Sequence, residues 1–241
     1  MSLLKQNPGS GFGSGTSGSA TFGRGGDEPY ARALRHNAAG ALTLREAGPS
    51  PDDNEGARLD MDFGKWSSDA DEVDRSLLGY VRGPVLDIGC GPGRMVRAAG
   101  ELGLVALGLD VSPEVVALAR RGGMAAALGS VFDRVPAEGV WRTALLIDGN
   151  VGIGGDVAAL LARCREILAP AGTLVVELHP DDDRDHSYSA TLTDDDGSRS
   201  AAFPWAEVGL TRLREAARAS GFTVERAFTA ADRRFARLTR A

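Results

Sequence analysis

From residue 84 onward, short apolar runs alternate with stretches in which apolar positions recur at helical spacing. Residues 84–88 form a first apolar run, and the glycines after it lead into a helix over about 93–102. Residues 104–109 form a second run that ends in Asp110. Ser112-Pro113-Glu114 then opens a helix, with the serine as cap and the proline in the first turn. A short strand is expected near 124–128, another over 143–147 ending at Asp148, and a helix over about 156–168 that stops at Pro170-Ala171-Gly172. Residues 173–178 are nearly all apolar, the composition of a central strand covered on both sides. A helix over 208–219 and strands at 222–226 and 235–238 complete the series. Sequential strand–helix units predict an α/β fold: a Rossmann-like, open and mostly parallel sheet with helices on both faces. The last two strands have no helix between them and are expected to form an antiparallel edge pair.

The pattern breaks down elsewhere. Residues 1–26 are rich in Gly and Ser, and such a segment buries too little to offset its ordering cost. They are expected to form a disordered tail. Residues 27–67 read as a cap or lid. A short helix starts at Pro29, with Tyr30 and Leu34 on one face. Residues 37–47 are ambiguous, 48–54 form a loop, and the alternation of Leu59, Met61 and Phe63 suggests a strand or lid segment before Trp66. Ser68 is placed to cap a helix running to about Tyr80, with Val73, Leu77 and Leu78 as its apolar face. The main domain is then 68–241. It is interrupted by an aspartate-rich insertion at about 179–205, in which 188–193 and 199–203 suggest a hairpin.

Composition narrows the function. The formal charge is −6, which argues against a dedicated nucleic-acid surface. Two distant cysteines and three histidines give neither a disulfide framework nor a metal spacing. No apolar run approaches a membrane span, and the start of the chain lacks the apolar core of a signal peptide, so a cytoplasmic location is expected.

The chemistry centres on Asp87-Ile88-Gly89-Cys90-Gly91-Pro92-Gly93-Arg94. Glycines at a strand-to-helix turn let the backbone turn tightly and bring helix-opening N–H groups close to a ligand. A triphosphate loop requires a Lys followed by Ser or Thr, whereas Arg94 and Met95 stand here. A nicotinamide turn places its third glycine at position 94, which is Arg94. Asp110 ends the second strand, where its carboxylate can accept both hydroxyls of a ribose.

The stretch Val85-Leu86-Asp87-Ile88-Gly89-Cys90-Gly91-Pro92-Gly93 resembles the signature of class I S-adenosylmethionine-dependent methyltransferases of the small-molecule type. Leu107-Gly108-Leu109-Asp110-Val111-Ser112-Pro113-Glu114 resembles their second motif. The resemblance covers about 68–241 and implies a seven-stranded sheet with a reversed last strand, with S-adenosyl-L-methionine as cofactor. It implies that Asp87 fixes the glycine loop and the methionine end, and that Gly89, Cys90, Gly91 and Gly93 admit the cofactor. Asp110 would hold the ribose, Val111 would lie against adenine, and Ser130, Val131 and Phe132 would border it. Asp148 and Gly149 would line the methionine side and face the acceptor. The loop at 148–155 does not read as Asn-Pro-Pro-Tyr, which together with the acidic charge favours a small-molecule acceptor.

Methyl transfer from a sulfonium requires an acceptor held in line in a dry pocket, and a hydroxyl acceptor also requires a base. His179, directly after the fifth strand, is the leading candidate base. His186 and Tyr188 lie in the insertion, Asp148 lies at the carboxyl edge of the sheet, and His36 can reach from the cap. The expected partner is a small-molecule acceptor methylated on O, N or C, with no nucleic acid, membrane or metal involved, and with the protein a monomer or homodimer. Two other readings stay open: a non-enzymatic cofactor-binding protein acting through a partner, and a nicotinamide oxidoreductase.

Overall fold

The computed structural model describes residues 29–30, 32, 42–47, 58–61 and 68–241. The expectations placed on the 1–26 tail, Leu34, His36, the 48–54 loop, Phe63 and Trp66 lie outside the described residues.

The described residues form two sheets. The larger contains β3 (Val85–Ile88), β4 (Ala106–Asp110), β5 (Ala126–Leu128), β6 (Trp141–Leu146), β7 (Leu168–Leu178), β10 (Phe222–Ala230) and β11 (Arg233–Arg240). Its order is β10-β11-β7-β6-β3-β4-β5. The strands from β7 to β5 run parallel, and β11 is antiparallel to both β7 and β10. This is the expected seven-stranded Rossmann-like sheet with a reversed last strand.

Alternation along the central strands explains the layers. Leu86, Ile88, Ala144, Leu146, Leu174 and Val176 point into one core with Leu160, Leu161 and Cys164 of α4 (Val157–Ile167) and Leu213 and Ala217 of α5 (Leu210–Ala219). Their sequence neighbours Val85, Leu145, Ile147 and Val175 point into the opposite core. There they meet Leu77 and Leu78 of α1 (Glu72–Leu78) and Met95, Ala98 and Ala99 of α2 (Arg94–Glu101). A strand buried on both faces must be apolar at consecutive positions.

The helix expected from Ser68 begins later. Asp71 is its cap: its carboxylate accepts from Asp74 N–H, and the Asp74 side chain accepts from Asp71 N–H. This reciprocal pair satisfies two donors at once, which the Ser68 hydroxyl does not, since it donates to Asp69 O. Ser112 caps α3 (Pro113–Arg121) as expected, with Pro113 in the first turn.

The second sheet, order β2-β1-β8-β9, is antiparallel. It joins β1 (Leu42–Glu46) and β2 (Arg58–Met61) from the N-terminal segment to β8 (Asp185–Thr193) and β9 (Phe203–Val208) from the insertion. The ambiguous stretch 37–47 thus contains a strand, and the insertion is the other half of its sheet. Leu42, Leu44, Ala190, Leu192, Phe203 and Trp205 pack with Tyr30 and with Val115 of α3. That cluster fixes the small sheet beside the carboxyl edge of the large one.

Candidate active site

Between the two sheets lies a cavity of about 340 Å³. Its floor is the turn after β3, where Gly89 has a left-handed backbone (φ 72°). A Cβ there would stand 2.6 Å from the Asn150 amide nitrogen. Asn150 needs that space because its side chain donates to Ile88 O at 2.9 Å and Gly89 O at 3.0 Å, tying the turn to the loop after β6. Asp110 ends β4 and is buried. Its carboxylate accepts from Gly91 N–H at 3.1 Å and from Ser112 N–H at 2.9 Å. Burial raises its pKa to about 6, against the lowering effect of these backbone donors. A carboxylate offers about four acceptor positions, so lone pairs remain for two ribose hydroxyls.

Asp87 is buried beneath the turn. Desolvation, then the charges of Asp148 and Asp110, push its pKa up to about 8. Cys90 is a buried thiol whose pKa is driven well above its usual value by desolvation and by Asp110 and Asp87, so it is a poor nucleophile. The cavity wall includes Val111, Ser130, Val131 and Phe132, together with Leu109.

At the other end, Arg94 and Asp148 line the cavity as an ion pair. Arg94 also pairs with the fully buried Asp74. Asp148 has a left-handed backbone (φ 55°), uncommon for a non-glycine residue, and its N–H donates to Glu177 at 2.8 Å. The wall also includes Tyr30, Ile153, Gly154, Phe203, Pro204 and Trp205, an apolar and aromatic surface supplied by the N-terminal segment, the glycine-rich loop and β9.

The expected cofactor residues Asp87, Gly89, Cys90, Gly91, Asp110, Val111, Ser130, Val131, Phe132 and Asp148 therefore converge on one cavity. Gly93 and Gly149 do not line it; they lie at the caps of α2 and of the short turn at 150–152. Of the four candidate catalytic residues, only Asp148 reaches the cavity wall. His179, His186 and Tyr188 do not. The His179 ring accepts from Asp181 N–H at 3.1 Å, which folds it back onto its own turn. His186 contacts Glu46 and stacks on Tyr188, and the Tyr188 hydroxyl donates to Glu207. Both sit on β8 of the small sheet, on the face they share with Ala190 and Leu192, and Tyr188 packs against the cluster those residues form. In the sequence Arg94 registers only as a residue that excludes a triphosphate turn and a nicotinamide turn, and neither Asn150 nor Arg233 stands out as a site residue. Arg94 carried a signal: a charge in a strand-to-helix turn with so few polar neighbours must find a partner.

Among the described residues, no group of three or more metal-ligating side chains is arranged to hold a metal ion. No helix among them is long and apolar enough to cross a membrane.

Residues 86–176 match the methyltransferase domain family. A comparison with curated protein sequences finds no match. Among solved structures, an S-adenosylmethionine-dependent methyltransferase from Bacteroides fragilis, in complex with S-adenosyl-L-homocysteine, superposes with a TM-score of 0.71. Its identity is 19%, covering 88% of this chain and 93% of that one. The 1,6-didemethyltoxoflavin-N1-methyltransferase of Burkholderia thailandensis gives 0.52 at 20% identity, over 70% and 77% of the two chains. A sugar N-methyltransferase from a Streptoalloteichus species gives 0.53 at 18%, over 74% and 89%. The matched domain lies at the centre of a seven-stranded sheet whose topology is that of the class I S-adenosylmethionine-dependent methyltransferase fold.

Proposed function

We propose that the protein transfers a methyl group from S-adenosylmethionine to a small organic acceptor held in the cavity between its two sheets. The observation that carries this is the buried Asp110 carboxylate at the end of β4, one residue pair from the glycine turn and open to the same cavity. The residues fit the cofactor chemically. Asp110 would take the ribose hydroxyls, while Val111, Val131 and Phe132 would flank the adenine. Arg94 and Asp148 would meet the carboxylate and ammonium of the methionine end. The bound cofactor would supply a methyl already activated by its positive sulfur.

The chain's own contribution is then position and dryness. Tyr30, Ile153, Phe203, Pro204 and Trp205 present apolar surface where the acceptor would lie, which favours an acceptor with an apolar or aromatic body. Asp148 is held by Arg94 and Arg233, so we assign it to orientation of the bound groups. His179, His186 and Tyr188 belong in this reading to the frame of the insertion. The similar 1,6-didemethyltoxoflavin-N1-methyltransferase and sugar N-methyltransferase support a small acceptor.

The test is label transfer from methyl-labelled S-adenosylmethionine to a panel of aromatic amines, phenols and amino sugars. Labelled product that requires the protein and is inhibited by S-adenosylhomocysteine is expected. Cofactor binding with no labelled product across the panel, together with a stable complex with a partner protein, would favour a non-enzymatic role.

A further inference from the structure

The cavity's polar end is backed by a buried charge network that the cofactor motifs do not include. Arg233 begins β11, directly after the turn of the C-terminal hairpin, and is largely buried. Its guanidinium forks onto Glu177 of β7, with Nε and Nη2 each 2.8 Å from a carboxylate oxygen. Nη1 donates to Asp74 of α1 at 2.8 Å, and Nη2 lies 3.5 Å from Asp148. The Glu177 oxygen that accepts from Arg233 also accepts the N–H of Asp148. Asp74 in turn pairs with Arg94, and Arg94 with Asp148. The contacts close a ring. Asp148 is gripped at its backbone through Glu177 and at its carboxylate by Arg94, and Arg233 stands behind both routes.

We infer that Arg233 is a positioning residue that holds Asp148 and Arg94 in place to receive the amino-acid end of the cofactor. The inference rests on the cofactor reading above. Three features favour a positioning task over simple packing. Asp148 keeps a left-handed backbone, which needs outside support. The two cavity-lining members, Asp148 and Arg94, carry the opposite charges that a carboxylate and an ammonium require. A buried ionic cluster of this size is also an expensive way to stabilise a fold, because apolar residues of similar volume usually do as well. Arg233 remains a firm cation: burial works against its charge, but the Glu177 hydrogen bonds and the charges of Glu177, Asp148 and Asp71 outweigh it.

The experiment compares two ligands on Arg233→Met, Arg233→Lys and Glu177→Gln. S-adenosylhomocysteine carries the amino-acid tail; 5′-methylthioadenosine has the same nucleoside without it. With the charged contacts loosened, Arg233→Met should bind S-adenosylhomocysteine about ten- to a hundredfold more weakly while its affinity for methylthioadenosine changes less than about threefold. Arg233→Lys should recover part of the loss, and Glu177→Gln should show the same tail-selective weakening. Unchanged methylthioadenosine affinity also proves that the cavity is folded; if Arg233→Met does not fold, Glu177→Gln carries the comparison. Equal losses for both ligands, or no loss for either, would overturn the positioning role. If the wild-type protein binds neither ligand, the cofactor reading itself fails and this inference with it.

Discussion

At the scale of single residues, the site is built from carboxylates kept in unfavourable surroundings. Asp87 is the clearest case. Its folded pKa of about 8 lies above the ordinary 3.8, because burial and the neighbouring Asp148 and Asp110 disfavour its charge. Between those limits the folded protein binds more protons than the unfolded chain. The contribution of Asp87 to stability is therefore fully present below about pH 4 and is lost as pH rises through about 8. Asp110 acts in the same direction over a lower range, up to about 6. The melting temperature of the ligand-free protein should accordingly fall between pH 5 and pH 8 more steeply in the wild type than in Asp87→Asn, measured by calorimetry. Parallel curves for the two proteins would show that Asp87 is not the strained group. The motif residues were legible in the sequence because strand, glycine turn and strand-end acid are contiguous. The Arg233 ring was not, because its members come from α1, α2, β7, β11 and the loop after β6. Asp148 stands out in the sequence as a site residue, but nothing there ties it to these distant partners until the fold brings them together.

At the scale of elements, the glycine-rich loop at 149–155 explains how the small sheet meets the large one. A Cβ on Gly152 would run into the carbonyl oxygen of Ala206 in β9, and one on Gly154 would stand 2.7 Å from the Phe132 ring. The loop is thin so that β9 can lie against it and bring Phe203, Pro204 and Trp205 to the cavity. Gly152→Ala should destabilise the protein by about 1–3 kcal/mol, the usual cost of forcing extra volume into a packed contact, and should weaken cofactor binding as β9 shifts. Chemical denaturation and ligand titration check this together; a variant as stable as wild type would mean that the contact yields freely. Runs of Gly at 149–155 were visible in the sequence as a loop. Their reason was not, since it depends on a strand more than fifty residues further on. In the small sheet, the strand at 58–61 and a hairpin within the insertion were suggested by the sequence, but their joining into one sheet was illegible for the same cause. Its pairing of Thr43 with Thr193 joins segments about 150 residues apart, and period-two patterning says nothing about partners.

At the scale of the whole molecule, the large sheet provides a rigid carboxyl edge and the small sheet roofs it. The large sheet followed from the sequence because its central strands are mostly apolar and separated by helices. The roof is made from the least patterned parts of the chain: the N-terminal segment and the insertion. Arg32 pairs with Asp194 at the β8 end, so the segment carrying Tyr30 is fastened to the insertion as well as packed on it. Under the proposed function, cofactor recognition would belong to the large sheet and acceptor recognition largely to the roof. On the same proposal, the cavity at their junction binds S-adenosylmethionine through Asp110. The direct measurement is calorimetric titration of S-adenosylmethionine into wild-type protein and into Asp110→Ala. Saturable one-to-one binding to the wild type, weakened by about 1.5–3 kcal/mol in the variant as charge-assisted hydrogen bonds are lost, is the predicted result. No binding to the wild type, or the same affinity in both proteins, would contradict it.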